Sequence, residues 1–183
     1  MTPSSREEWE VASKPESYGP VEKVRRSLEK AGYRGKILES EETIFTVEDA
    51  SRTVGAPPEA ILKTIVLQAD GSFVLALMSG TNRVDLKAVK RLLAGTRKVS
   101  MAHPDEVLAF SGFAVGGVPP VGYSEKLPAF IDEDLFTKDT VWAAAGTDHA
   151  FFPVSPEELA ALTCGQVASI KKEGKGLSSP LPE

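Results

Sequence analysis

The chain has 183 residues, enough for one domain with a proper core and short for two. One cysteine and two histidines exclude an internal disulfide and make a zinc centre a poor fit, so no metal is expected. A formal net charge of −5 argues against a protein that grips long stretches of DNA or RNA backbone, and confines any RNA contact to one end of the molecule.

Residues 1–18 are polar, carry Pro3 and Pro15, and read as a flexible arm; residues 171–183, ending LSSPLPE, read as a flexible tail. Between them, 19–170 is expected to be a single folded domain. The amino terminus lacks the charged-then-apolar layout of a secretory signal, and no apolar run approaches the ~20 residues that span a bilayer. A cytoplasmic protein with no membrane partner is therefore expected.

Pro20 suits a first helical turn, and Val21, Val24 and Leu28 share one face of a helix that Gly32 closes. Lys36 to Ser40 reads as a short strand. Thr46-Val47-Glu48-Asp49 resembles a capping box that opens a second helix ending near Gly55. Ile61 to Gln68 and Phe73 to Ser79 are rich in branched and aromatic residues and flank Ala69-Asp70-Gly71-Ser72, which predicts a hairpin. Asp85 to Leu93 is helical, stopped by Gly95, and Lys98 to Met101 returns to strand. Pro104 to Phe110 fits a short helix. Ala129 to Asp132, Val141 to Ala145 and Phe151 to Val154 read as strands, followed by a helix over Pro156 to Thr163 with Gly165 at its end. Without regular strand-helix-strand alternation, an α+β fold with a mixed, largely antiparallel sheet fits better than a doubly wound one.

Three features carry chemistry. Lys63 interrupts the apolar run Ile61 to Leu67, where an ammonium is rarely tolerated unless an anionic or hydrogen-bonding group meets it. Strand alternation puts it on one face with Ile61, Ile65 and Leu67. The bland alternative is an edge lysine whose stem packs while its head reaches water. The heptapeptide GGVPPVG, Gly116 to Gly122, pairs glycines that let amides approach a ligand with prolines that stiffen the loop; a tight connection between sheet segments would use the same residues. Third, Gly146 precedes Glu158-Leu159.

These elements, in this order, resemble the YbaK/ProX family of aminoacyl-tRNA deacylases over roughly Val21 to Ile170. The resemblance implies a curled, barrel-like sheet flanked by helices. It implies that Lys63 is an electrostatic anchor rather than a base, with Gly116 and Gly117 as backbone donors to the reacting ester. It further implies substrate-binding roles for Thr46, Glu48, Thr64, Pro120, Gly122, Gly146 and His149. The substrate it suggests is a small amino acid such as cysteine or alanine on tRNA(Pro), bound by its acceptor end, with prolyl-tRNA synthetase as partner and no cofactor. Many members carry a hydroxyl residue where this chain has Pro119, so its contribution is either absent here or supplied by another group, with Ser124 and Thr147 as candidates.

No conventional nucleophile is evident. Cys164 sits at a helix C-terminus and reads as a buried, inert thiol, which leaves water or a group of the substrate itself. Lys87, Lys90 and Arg91 share the helix face away from the apolar one; solvation explains them by default, and phosphate contact is the alternative for a tRNA-handling protein. A rival reading is a non-catalytic module that binds an aminoacyl-adenosine-like or nucleotide ligand as a synthetase partner.

Overall fold

The structure, a computed structural model, describes residues 18–174. The expected arm and tail lie outside these residues except at their inner ends. Tyr18 lies under the Arg26 guanidinium, 3.7 Å from its ring centroid. Lys171 bridges to Val84 and the Lys172 amide donates to Arg83 O, so ordered pairing runs two residues past the expected boundary.

Five helices and eight strands follow one another as α1 (Pro20–Lys30), β1 (Leu38–Glu39), α2 (Val47–Val54), β2 (Leu62–Ala69), β3 (Ser72–Ser79), α3 (Leu86–Leu92), β4 (Val99–Met101), α4 (Pro104–Ser111), β5 (Ala129–Asp132), β6 (Val141–Ala144), β7 (Ala150–Val154), α5 (Pro156–Thr163) and β8 (Gln166–Ala168). Single 3-10 turns occupy Pro58–Ala60 and Glu133–Thr137. The β2–β3 hairpin turns through Asp70 and Gly71, both at positive φ (47° and 89°), the two-residue turn whose twist matches its strands. The Asp70 carboxylate also accepts from the amides of Arg97 and Lys98, tying the turn to the entrance of β4 and holding its carboxyl below the usual carboxylate range.

The strands form two sheets, β4-β2-β3-β5-β8 and β1-β7-β6. Pairing is antiparallel except for β3 with β5 and β5 with β8, so the sheet is mixed and largely antiparallel as expected. An isolated parallel bridge, Ile61 to Trp142, joins the two sheets, and no closed barrel forms among the described residues.

The main core lies between the sheets, where Leu62, Val66, Leu77 and Ile131 meet Val141, Ala143 and Phe152 under α1. On the opposite face of the larger sheet, Leu67, Ala76, Met78 and Phe130 pack with Val89 of α3 and Ile170. Covered on both faces, β3 is apolar without alternation. At the end of α5 the left-handed position is Cys164 (φ 51°), not Gly165. Gly165 is required for another reason: a Cβ there would meet Ile131 side-chain carbons at 2.8 Å.

Candidate functional site

A cavity of about 330 Å³ opens where β2 loses its neighbour. On one side β2 pairs with β3 along its whole length. On the other its backbone pairs with β6 only at Ile61 and with β4 only from Leu67 onward. The Ala102 amide donates to Val66 O on that side, so alternation sends the Thr64 peptide group the same way, where no strand meets it. The cavity floor is thus an unpaired stretch of strand edge, walled by α2 with the loop before it, by Met101, Ala102 and Val107, and by Val115, Gly116 and Val118 of the glycine-proline loop.

Nearly all the lining side chains are apolar. Three polar ones remain. The Thr46 hydroxyl accepts from the Asp49 amide at 3.0 Å while the Asp49 carboxylate accepts from the Thr46 amide at 3.1 Å, so the expected capping box forms, with Asp49 as its acidic member. The Thr64 hydroxyl is buried and meets no hydrogen-bond partner among the described residues. The Lys63 ammonium donates to Asn82 O at 2.5 Å. Burial, and secondarily the Arg83 guanidinium, hold its pKa below the ordinary lysine value. An ammonium has three donors, so two are left for a ligand. Neither Lys63 nor Arg83 forms an ion pair among the described residues, and together they make this end of the site electropositive.

Gly116 lines the cavity at φ 101° and its amide meets no acceptor among the described residues. Gly117 does not line it. Its amide donates to Ala114 O at 3.0 Å, its carbonyl accepts from the Gly146 amide at 3.0 Å, and a Cβ would fall 2.5 Å from the Thr147 Cα. Gly146 is pressed against another main chain, since a Cβ would fall 2.6 Å from Pro20 O. The close approach at these two glycines is backbone on backbone. Pro120 and Gly122 lie around a separate cavity of about 420 Å³ with Ser124.

His149 also stands outside the cavity lining, its Nδ1 3.0 Å from Glu42 O and its Nε2 3.2 Å from Asp148 Oδ1. With Ser40 donating to His149 O and Ile44 to Asp148 O, it pins the loop that leads into α2. Glu48 is exposed in the first turn of α2, and Glu158 in that of α5. Thr147 accepts from the His149 amide. Neither candidate replacement for the hydroxyl absent at Pro119 lines the cavity, whereas Thr64 does. Cys164 is exposed rather than buried, its sulfur 2.8 Å from Lys126 Nζ, because it sits on the outer turn beyond α5. Lys87, Lys90 and Arg91 are exposed on α3. Reading the sequence missed Asn82, since a main-chain carbonyl leaves no residue-type signal.

No group of three or more histidine, cysteine, aspartate or glutamate side chains among the described residues could hold a metal ion, and no helix there is long and apolar enough to cross a membrane.

Comparison with known proteins converges on one family. A solved structure described as that of a candidate trans-editing enzyme for prolyl-tRNA synthetase superposes with a TM-score of 0.80 at 41% identity, covering 85% of this chain and 99% of that one. A candidate Cys-tRNA(Pro)/Cys-tRNA(Cys) deacylase of Enterococcus faecalis, EbsC, is 28% identical over 127 residues, 69% of this chain and 77% of its own length. The proline–tRNA ligase of Solidesulfovibrio magneticus is 35% identical over 104 residues, which is 56% of this chain and 18% of the ligase. The family profile for the aminoacyl-tRNA editing domain matches residues 41–162, a stretch that takes in α2, the open edge of β2, the glycine-proline loop and all but the last residue of α5, and this chain belongs to that family.

Proposed function

We propose that this chain hydrolyses the ester joining a wrongly attached amino acid to the terminal adenosine of a tRNA, acting as a free-standing editing enzyme. The observation that carries the reading is that Lys63, whose ammonium donates to Asn82 O, and Gly116, whose amide meets no acceptor among the described residues, both line one apolar recess. As water attacks the ester carbonyl, or a cysteinyl thiol does so to close a thiolactone that water then opens, the carbonyl oxygen gains negative charge. Lys63 and the Gly116 amide stabilise that oxyanion, and expulsion of the ribose oxygen, which takes up a proton, completes cleavage. Removing one such donor typically costs ~10²–10³ in rate.

A cavity of about 330 Å³ is at the small end of ligand sites and favours a small aminoacyl group. The Thr64 hydroxyl, buried and without a hydrogen-bond partner among the described residues, offers a partner for a polar atom of that group. Cysteine or alanine on tRNA(Pro) is the substrate this reading favours; the description of EbsC as acting on Cys-tRNA(Pro) and Cys-tRNA(Cys) supports cysteine, and the relative described as trans-editing for prolyl-tRNA synthetase supports the tRNA. Lys87, Lys90 and Arg91 are the side chains we assign to the tRNA backbone, and prolyl-tRNA synthetase is the partner protein we assign. Gly117 and Gly146 shape the loop, and His149 steadies the approach to α2.

One observation favours a second reading. Among the described residues no carboxylate or imidazole lines the cavity, so no side chain there is an evident general base. A module that binds an aminoacyl-adenosine or nucleotide without cleaving it would need none. Incubating the protein with a panel of mischarged tRNAs separates the two readings. Release of amino acid, lost at least 100-fold in Lys63→Ala, is expected of the hydrolase; tight binding without release would overturn that reading in favour of the module.

A further inference from the structure

The Lys63 ammonium is held by the carbonyl of a residue that is itself held from elsewhere. Asn82 lies in the tight turn after β3, its amide donating to Ser79 O at 3.0 Å. Its side-chain Nδ2 donates to Asp134 Oδ2 at 2.9 Å, in the 3-10 turn after β5, and the same oxygen accepts from Lys171 Nζ at 2.7 Å. That shared oxygen keeps the Asp134 carboxyl below its ordinary pKa, through Lys171 first and Asn82 second.

The backbone is stitched along the same line. The Lys172 amide donates to Arg83 O and the Asp85 amide to Ile170 O, each at 2.7 Å. The Ile170 amide in turn donates to Oδ1 of Asp132, a carboxylate with no solvent exposure. The loop from Asn82 to Asp85 is therefore clamped between the strand that ends β5 and the segment that follows β8.

We propose that Asp134 and Lys171 are positioning residues for Lys63, acting through Asn82. This rests on the catalytic role proposed for Lys63. A lysine stem has four rotatable carbons and no fixed direction of its own, so the aim of its two remaining N–H groups is set by where its one hydrogen-bond acceptor stands. Asp134 satisfies Asn82 and Lys171 at once and leaves Lys63 its charge unpaired for a substrate oxygen. Misplacing a reactive group by about 1 Å is enough to cost ~10²-fold in rate.

The test uses the full chain with 15N-labelled lysine, the Lys63 Nζ resonance being assigned by its loss in Lys63→Arg. Asp134→Asn and, as a milder change, Lys171→Met are compared with the parent for thermal midpoint, for single-turnover hydrolysis of cysteinyl- and alanyl-tRNA(Pro), and for the pH midpoint of the Lys63 Nζ signal. The charged groups facing Lys63 are Arg83 and, past Asn82, Asp134 and Lys171; the cavity wall carries no other charged side chain among the described residues.

Expected in both variants are a kcat lower by about 10-fold or more, a KM within about twofold, and an Nζ midpoint that moves up toward that of free lysine as the ammonium leaves its half-buried seat. In Asp134→Asn the lost charge acting through space would move the midpoint down instead, whereas in Lys171→Met the lost positive charge would itself raise it, so Asp134→Asn is the deciding variant for the midpoint. A folded variant with unchanged kcat, or a midpoint that stays or falls, overturns the proposal. Should Lys63→Ala hydrolyse both esters as fast as the parent, the catalytic reading fails separately, and the Nζ midpoint alone decides whether Asp134 and Lys171 place Lys63.

Discussion

Lys63 is where pH should act most directly. Burial and Arg83 hold its folded pKa below the ordinary value, so its charge is lost at lower pH than that of a free lysine. Enzyme-dependent hydrolysis, after subtraction of the spontaneous rate, is expected to fall as pH rises through that lowered pKa. Stability moves the other way. Between the folded pKa and about 10.4 the unfolded chain binds more protons at this site, so folding gains as pH rises through that window, and Lys63→Met should flatten the gain. Denaturant midpoints read at several alkaline pH values check this; an identical slope in Lys63→Met would contradict it. Gly117 makes a different prediction at the same scale. A methyl there must displace the Thr147 main chain, so Gly117→Ala should destabilise by about 2–3 kcal/mol, measured by urea unfolding, because backbone yields less readily than a side chain.

Among the elements, α2 tests whether the cavity wall depends on its cap. Thr46→Ala removes the acceptor for the Asp49 amide and should cost about 1 kcal/mol, a fall of about 3 °C in Tm, while Thr46→Ser keeps the oxygen and recovers most of it. The elements legible in the sequence were those with local causes: the Thr46 cap, Pro20 at the head of α1, and the Asp70-Gly71 turn between two branched runs. β8 was missed because Gln166 and Val167 are exposed and its pairing partner is the distant β5, so neither alternation nor a neighbouring turn announces it. The same split runs through the site. Lys63 stands out as a charge in an apolar strand, and Gly116 as part of a loop no ordinary side chain tolerates. The pattern around Gly117 and Gly146 signals a close approach without saying to what, and the contacts turn out to be Thr147 and Pro20. The chain of Asn82, Asp134 and Lys171 joins residues far apart in sequence, and none of them is unusual by type.

At the level of the whole molecule, a net charge of −5 requires that any hold on tRNA be local. Lys87, Lys90 and Arg91 are exposed along α3, whose other face is sealed by the second core cluster. Replacing all three by Ala should weaken tRNA binding and reduce the slope of log K against log salt by about 2–3, while cleavage of a short aminoacyl-adenosine ester is unchanged. An unaltered slope would move the RNA contact elsewhere. The vacancy along β2 between Ile61 and Leu67 has a further consequence. What it presents is main chain, which no point substitution deletes, whereas the recess above it is shaped by replaceable side chains such as Ala50 and Val107. Substitutions at such positions therefore reshape the recess while the strand edge that floors it stays in place.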